Sequence, residues 1–291
     1  MSIFEKKYKL ESNPPKEVSW EEYEEKVNEE YESLLLNKSD DEKSFQDFFE
    51  WNPSFVPGAF EVIGQSGHYP LYDSLISQPE LGSVIRRKPD FLWIAKNSLQ
   101  LCPVFIEIEK PSKKMFTRSG DVASDFTHAY GQLQEWQTLL NDPTAQQTFF
   151  QCYGISDDYR SLQFKPQYLL IYGRREEYEG NKMLIGKRNA YQNDSIRIMS
   201  FDRLRPDYNS RNFITSVVSN GEYKALHIAP TFRYRPDCVE NIVNIKDFCK
   251  KIDEMKYTTD ERKTFLKDRY EYWMSFARKS DKGIMVSQEG E

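Results

Sequence analysis

The sequence predicts an α/β or α+β fold in which helices flank a mixed β-sheet. Short apolar runs of strand type lie between longer segments whose apolar side chains recur every three or four residues. The run at residues 167–172 is apolar at all but its first position, as in strands of a sheet covered on both faces. A hydrophobic content of 38%, with 19 Phe and 18 Tyr residues, supplies enough apolar volume for a packed core and excludes wholesale disorder.

The N-terminal part of the chain predicts two helices. Ser19 and Glu22 have capping-box spacing, and a helical period follows over residues 20–36. The same spacing begins again at Ser39, ahead of a second, Phe-rich helix. That helix must end before Pro53, because the residue before a proline disfavours helical geometry.

Further strands and helices follow from hydrophobic periodicity. Strand patterns cover residues 90–95, 103–109, 167–172 and 195–200. The first two are joined by a short polar link and predict a β-hairpin. Helical periods cover residues 121–140, residues 242–255 and a last segment after a capping box at Thr258. Residues 280–291 are expected to form a loose tail.

Charge is distributed unevenly along the predicted segments. We expect an acidic helical segment over residues 1–40, a central domain over residues 41–230 and a C-terminal helical segment over residues 231–291. Residues 17–50 hold 13 acidic and 3 basic side chains, so they account for more than the whole net charge of −6. The rest of the chain is net positive, and the overall acidity does not exclude a nucleic-acid ligand.

Cellular location is also predicted from composition. The first residues carry charges where a signal peptide would have its apolar stretch, and no run of 18 apolar residues occurs, so we expect a cytoplasmic protein without a membrane partner. The four cysteines form no C-x-x-C pair, which argues against a disulfide framework or a structural zinc site.

The strand at residues 103–109 carries the chemically informative pattern. Side chains alternate across a strand, so Phe105, Glu107 and Glu109 share one face and two carboxylates project side by side. A third acid, Asp90, opens the neighbouring strand. Asp90 and Glu107 would suit Mg²⁺, or Mn²⁺ in its place, because such ions take one or two carboxylates and leave other positions to water and substrate phosphate.

Two other interpretations of the paired carboxylates are possible. An isolated E-x-E is commonly just the solvent face of an amphipathic strand. Paired carboxylates also serve glycosidases, although there the two groups normally come from different elements on either side of the bond.

Several linked motifs resemble one known family. They are Pro89-Asp90-Phe91, then Ile106-Glu107-Ile108-Glu109-Lys110-Pro111, then Phe116-Thr-Arg-Ser-Gly120, then Ala129-x-x-Gln132-x-x-x-Trp136. In this order they resemble the nuclease domain of the Shedu anti-phage defence proteins, over about residues 45–172. That family belongs to the PD-(D/E)XK, or restriction-endonuclease-like, superfamily, so residues 41–230 are expected to hold such a core, with extra helices at both ends.

The resemblance implies roles for individual residues. It implies that Asp90 and Glu107 are metal ligands and that Gln132 reaches them from a helix. Glu109 stands where the superfamily has a lysine, and Lys110 follows it on the opposite side of a regular strand. Either Glu109 or Lys110 could complete the site, and we favour Glu109. Trp136 stands where related nucleases have a tyrosine.

The resemblance also implies the function. We expect a Mg²⁺-dependent endonuclease or nickase acting on DNA in anti-phage defence, assembled as a homo-oligomer. Lys113, Lys114 and Arg118 follow the acidic strand and are expected to contact DNA phosphates. The alternative is a DNA-binding or sensing module whose catalytic centre is impaired, because the superfamily lysine is missing from its usual position.

Overall fold

The computed structural model describes residues 8–60, 68–80, 88–278 and 289–291. Within these ranges the chain has a mixed α/β fold, as predicted, with one open ten-stranded sheet. The strands are β1 Tyr69–Pro70, β2 Ser74–Ser77, β3 Phe91–Lys96, β4 Gln100–Ile108, β5 Gln163–Phe164, β6 Gln167–Ile171, β7 Ile196–Met199, β8 Ile214–Ser219, β9 Glu222–Ile228 and β10 Ile245–Lys246. The α-helices are α1 Trp20–Asn37, α2 Glu42–Trp51, α3 Ser124–Leu140, α4 Pro143–Cys152, α5 Asp157–Arg160, α6 Lys182–Ala190, α7 Val239–Ile242, α8 Phe248–Lys251 and α9 Asp260–Ala277.

The sheet is mixed, and the predicted hairpin lies at its centre. The strand order is β10-β9-β8-β2-β3-β4-β6-β7, with β1 paired to β3 and β5 paired to β4 outside this path. Strands β3 and β4 are antiparallel, whereas β4, β6 and β7 run parallel to one another. The prediction of a mixed sheet is therefore confirmed, and β4 has a bonded neighbour on each side.

Alternating side chains of the central strands belong to two separate apolar clusters, one on each face of the sheet. Phe105 belongs to the cluster that holds the buried face of α3, including Leu133 and Trp136. Val104 and Ile106 belong to the other cluster, which holds the aromatic side chains of α1 and α2. The two faces of β4 are thus covered by different helices, and a polar residue on the Phe105 face is directed toward α3.

The predicted N-terminal helices are confirmed, with one difference at a cap. Ser19 and Glu22 form the expected capping box of α1. The cap of α2, however, is Asp41 and not Ser39, because the Asp41 carboxylate accepts the backbone N–H of Ser44. Since Asp41 caps α2, Glu42 is the first residue of the helix.

The prediction of one continuous helix over residues 242–255 is wrong. This segment is divided between the end of α7, the short strand β10, helix α8 and a 3-10 turn at Ile252–Glu254. Strand β10 pairs with the edge strand β9, and Asp247 then adopts a left-handed φ of 59°. The pairing of β10 with β9 at the edge of the sheet therefore outweighs the helical preference of this segment.

The expectation of a loose C-terminal tail is wrong for its last three residues. Residues 280–288 lie outside the described ranges, but Glu291 is buried. Its Oε1 atom accepts a hydrogen bond from Trp273 Nε1 at 2.7 Å and is also bound by Arg269, and its backbone pairs with Tyr234. These donors compensate the burial of a carboxylate.

The C-terminal segment shares its core with the sheet. Side chains from Phe232 to Ala277, including Trp273, join the same apolar cluster as Phe105 and the buried face of α3. The division into three segments stays a prediction. Among the described helices, none has the length and apolar character needed to cross a membrane.

Candidate active site

The register of the central hairpin brings Asp90 next to Glu107. Phe91 pairs with Ile106, so the residue before Phe91 lies opposite the residue after Ile106. The Asp90 N–H donates to Ile106 O at 3.0 Å, which extends the ladder to this point. Asp90 Oδ2 accepts the backbone N–H of Ile108 at 2.8 Å, so its carboxylate lies against β4.

Glu107 is held from the opposite side by α3. Gln132 Nε2 donates to Glu107 Oε1 at 2.8 Å, and Gln132 itself is buried. Glu107 Oε2 is buried and has no hydrogen-bond partner among the described residues. The structure thus brings together Asp90, Glu107 and Gln132, and it leaves one buried carboxylate oxygen directed at no donor within the described part of the chain.

Burial and mutual repulsion dominate the electrostatics of this cluster. Loss of hydration raises the pKa of the Glu107 carboxyl well above its usual range, and the charges of Asp90 and Glu109 raise it further. Loss of hydration likewise raises the pKa of Asp90, with Glu42 and Glu109 adding to the effect against the hydrogen bond from Ile108. Four carboxylates therefore influence one another at this end of the hairpin.

Sequence reasoning missed Glu42 as a member of this cluster. Glu42 opens α2, and its pKa is raised by partial burial and by the charge of Glu109. In the sequence, Glu42 stands three residues after Ser39, which is capping-box spacing. Its carboxylate was therefore assigned to a helix cap and not to the site. Only the packing of α2 against the sheet brings it close to Asp90 and Glu107.

Lys113 is the lysine that binds the Glu109 carboxylate, whereas Lys110 forms its ion pair with Asp40. Glu109 directly follows β4, and its Oε2 atom lies 2.5 Å from Lys113 Nζ, with side-chain exposures of 14% and 26%. Lys110 Nζ instead lies 3.5 Å from an oxygen of Asp40, in the segment between α1 and α2. Sequence reasoning had assigned Lys113 to phosphate contact alone.

The remaining residues of the prediction, Lys114, Arg118 and Trp136, differ in exposure. Lys114 and Arg118 are exposed in the segment between β4 and α3, as a phosphate-contacting role would require. Trp136 is fully buried in the core, one helical turn after Gln132.

The cluster has the composition expected of a site for a hard divalent cation. Asp90 and Glu107 supply oxygen ligands on adjacent strands, and the buried Glu107 Oε2 lacks a donor within the described chain. No group of three or more His, Cys, Asp or Glu side chains stands at metal-ligand spacing among the described residues. A cation bound by Asp90 and Glu107 would have two carboxylate ligands, which is a common protein contribution to Mg²⁺.

Fold and site together define a mixed α/β protein with a partly buried acidic cluster at the end of the two central strands of its sheet. Over residues 39–204 the chain matches the family described as Shedu protein SduA, C-terminal. It therefore belongs to the Shedu family, and Asp90, Glu107, Glu109, Lys113 and Gln132 all lie in the matched range. The family supports a role in anti-phage defence. No curated protein matches the chain.

The raised pKa of Glu107 predicts the effect of Glu107→Gln on stability. Ionisation of Glu107 opposes folding as the pH rises above the usual Glu range of about 4.3, and a neutral amide avoids this opposition. We expect Glu107→Gln to raise the free energy of unfolding at pH 8 in EDTA by on the order of 1–2 kcal/mol, as measured by urea denaturation.

The difference should shrink as the pH falls through about 4.3, because Glu107 then takes up a proton in the unfolded chain as well. Mg²⁺ should stabilise the wild-type chain and have a smaller effect on Glu107→Gln. If Glu107→Gln is no more stable than the wild type at pH 8 in EDTA, then burial and neighbouring charges do not raise the pKa of Glu107 as described.

Proposed function

We propose that this Shedu-family chain is a metal-dependent deoxyribonuclease with a PD-(D/E)XK, restriction-endonuclease-like core. It would act as an endonuclease or nickase in anti-phage defence. The observation that carries the proposal is the partly buried pair Asp90 and Glu107, which the β3–β4 pairing sets side by side, with Gln132 donating to one oxygen of Glu107 and no donor described for the other, buried oxygen.

The proposed ligands of the ion are Asp90 and Glu107, and the proposed ion is Mg²⁺ or Mn²⁺. When bound, the ion would supply Lewis-acid polarisation of the scissile phosphate and of the water nucleophile. A cation would also offset the repulsion that raises the pKa of both carboxyls, so both could ionise at neutral pH.

The other residues of the cluster would orient groups and move a proton. The Ile108 N–H holds the Asp90 carboxylate against β4, and Gln132 sets the rotation of Glu107. Glu109 shares the Glu107 face and would accept a proton from the attacking water as a general base. The Lys113 ammonium, bound to Glu109, would hold the Glu109 carboxylate in place and stabilise negative charge on the phosphate.

DNA is the proposed substrate and a second copy of the chain a proposed partner. Lys114 and Arg118 are exposed in the segment that leads from β4 to α3 and would contact DNA phosphates. Self-assembly follows from the family resemblance alone.

One observation favours a second candidate, a DNA-binding or sensing module with an impaired centre. Glu109 occupies the strand position of the superfamily lysine, and Lys110 is paired with Asp40. The two candidates differ in whether purified protein cleaves DNA in the presence of a divalent cation.

The first test removes the proposed ligands one at a time. Asp90→Ala and Glu107→Ala leave too few oxygen ligands beside phosphate, so we expect each to stay folded and to lose at least about 10²-fold in cleavage rate. The measurement is gel analysis of linear, nicked and supercoiled DNA with Mg²⁺, Mn²⁺ or EDTA. The matched control is Glu135→Ala, an exposed acid on the outer face of α3, which should cleave like the wild type.

Cleavage by the wild type that survives EDTA would argue against metal dependence. Wild-type rates in Asp90→Ala or Glu107→Ala would remove these residues from the site. DNA binding without cleavage under any metal condition would favour the impaired module.

The second test separates the groups that could complete the site. We expect Glu109→Gln and Lys113→Ala each to lower the cleavage rate by about 10² or more, because one removes the proposed base and the other its bound cation. Lys110→Ala should retain most of the activity, since its ammonium is paired with Asp40. A dead Lys110→Ala beside an active Lys113→Ala would reverse this assignment.

The third test concerns DNA affinity. Replacing Lys114 and Arg118 with alanine should weaken binding to unrelated sequences alike and lower the slope of log affinity against log salt by about two. The measurement is fluorescence anisotropy over a range of salt, in Ca²⁺ to prevent cleavage. Lys224→Ala with Lys246→Ala, at the β9–β10 edge of the sheet, is the control of equal charge. An unchanged salt slope in the Lys114, Arg118 variant would mean that these side chains are only solvated.

A further inference from the structure

Lys113 lies in a loop whose two ends are both fastened to the fold. We call residues 110–116 the lysine loop. Just before it, the Glu109 N–H donates to Ile171 O at 3.0 Å, which ties the end of β4 to β6. At its other end Met115 and Phe116 are buried in the α3-side core. The loop therefore crosses a short, defined path over the end of β6.

Glu177 binds the distal end of the lysine loop through both of its carboxylate oxygens. Its Oε2 atom accepts the Met115 N–H at 2.9 Å, and its Oε1 atom accepts the Phe116 N–H at 2.7 Å. Hydrogen bonds from backbone N–H groups to an ionised carboxylate are stronger than those to a neutral acceptor. A single side chain, 61 residues or more away in sequence, thus holds two consecutive amides of the loop.

Gly173 lets the end of β6 approach Lys113 itself. Gly173 has a φ of +60°, and a Cβ atom at this position would lie 2.6 Å from the Lys113 carbonyl oxygen. Any larger residue would push the loop away from the sheet at the residue whose side chain reaches Glu109. The Lys113 N–H also donates to Lys110 O at 3.1 Å, which closes a turn within the loop.

From these contacts we infer that Glu177 is a positioning residue of the active site, which acts by holding the lysine loop so that Lys113 Nζ meets Glu109. Gly173 provides the space for this arrangement. The inference rests on the proposed function, because it assigns Glu177 to the same reaction. The hydrogen bonds of the Glu177 side chain among the described residues go to Met115 and Phe116 and not to the acidic cluster, so its effect would pass through the loop to Lys113.

The contact between Glu177 and the loop is tested by limited proteolysis. In Glu177→Ala the loop amides lose both acceptors, and trypsin should cut after Lys113 or Lys114 at least several-fold faster than in the wild type, as followed by mass spectrometry. The control is Glu176→Ala, the exposed neighbouring acid, which should be cut at the wild-type rate. Equal rates for the two variants would overturn the inference.

The link from Glu177 to Lys113 is tested by a double-mutant cycle with Lys113→Ala. A displacement of about 1 Å at a reacting group can reduce a rate by about 10²-fold, so we expect Glu177→Ala to slow cleavage at saturating DNA by roughly 10 to 10²-fold. If Glu177 acts through Lys113, the double variant should be no slower than Lys113→Ala alone. Additive losses would mean that Glu177 supports the fold in general, which would overturn the inference.

The same cycle is measured through Mn²⁺ affinity by calorimetry, which does not require cleavage. Removing the Lys113 ammonium from the acidic cluster should tighten Mn²⁺ binding several-fold, and Glu177→Ala should do the same with no further gain in the double variant. If the wild type cleaves no DNA, the proposed nuclease function fails, while the Mn²⁺ and trypsin results still decide the role of Glu177. Should Glu177→Ala fail to fold, Glu177→Gln retains one acceptor oxygen and should show intermediate effects in both measurements.

Discussion

The antiparallel pairing of β3 with β4 is the constraint on which the site depends. It sets Asp90 opposite Glu107 where helices cover both faces of the sheet, so two like charges share a poorly hydrated space. Holding both as anions there would cost several kcal/mol without compensation. Neighbouring groups supply part of this compensation, because the Ile108 N–H donates to Asp90 and the Gln132 amide donates to Glu107. The raised pKa values of both carboxyls reflect that this compensation is incomplete, and the proposed divalent cation would complete it.

The elements that carry this constraint could be predicted because their signals are local. Side-chain alternation over residues 103–109 predicts that Glu107 lies on the same face of the strand as Phe105 and Glu109. A helical period over residues 121–140 predicts the helix that carries Gln132. The contact between Gln132 and Glu107 was expected from the family resemblance and is present at 2.8 Å. The caps of α1 and α9 follow similar short-range rules, although the cap of α9 is Thr259, one residue later than expected.

Other parts of the fold could not be predicted because they depend on pairing between distant segments. Strands β2 and β8 were missed, since both place small hydroxyl side chains in the sheet interior and so lack a clear apolar alternation. Ser74 Oγ donates to Ser216 Oγ at 2.7 Å, a buried contact across 142 residues that satisfies both groups. The break at Asp247 likewise follows from the pairing of β10 with β9. Glu42 reaches the carboxylates only because α2 packs against this sheet.

The position of the site lysine, Lys113, also depends on contacts between distant segments. On a regular strand, the position two residues after Glu107 must share its face, and here that position is an acid, Glu109. A second acid so close would add repulsion if nothing balanced it. A lysine on a loop is free of strand alternation and can approach the same face from outside, provided that the loop is held in place. Lys113 meets this condition, because Gly173 admits its backbone and Glu177 binds the amides of Met115 and Phe116. Position 109 can therefore be acidic without adding a further unbalanced charge to the cluster, and Lys110 pairs with Asp40.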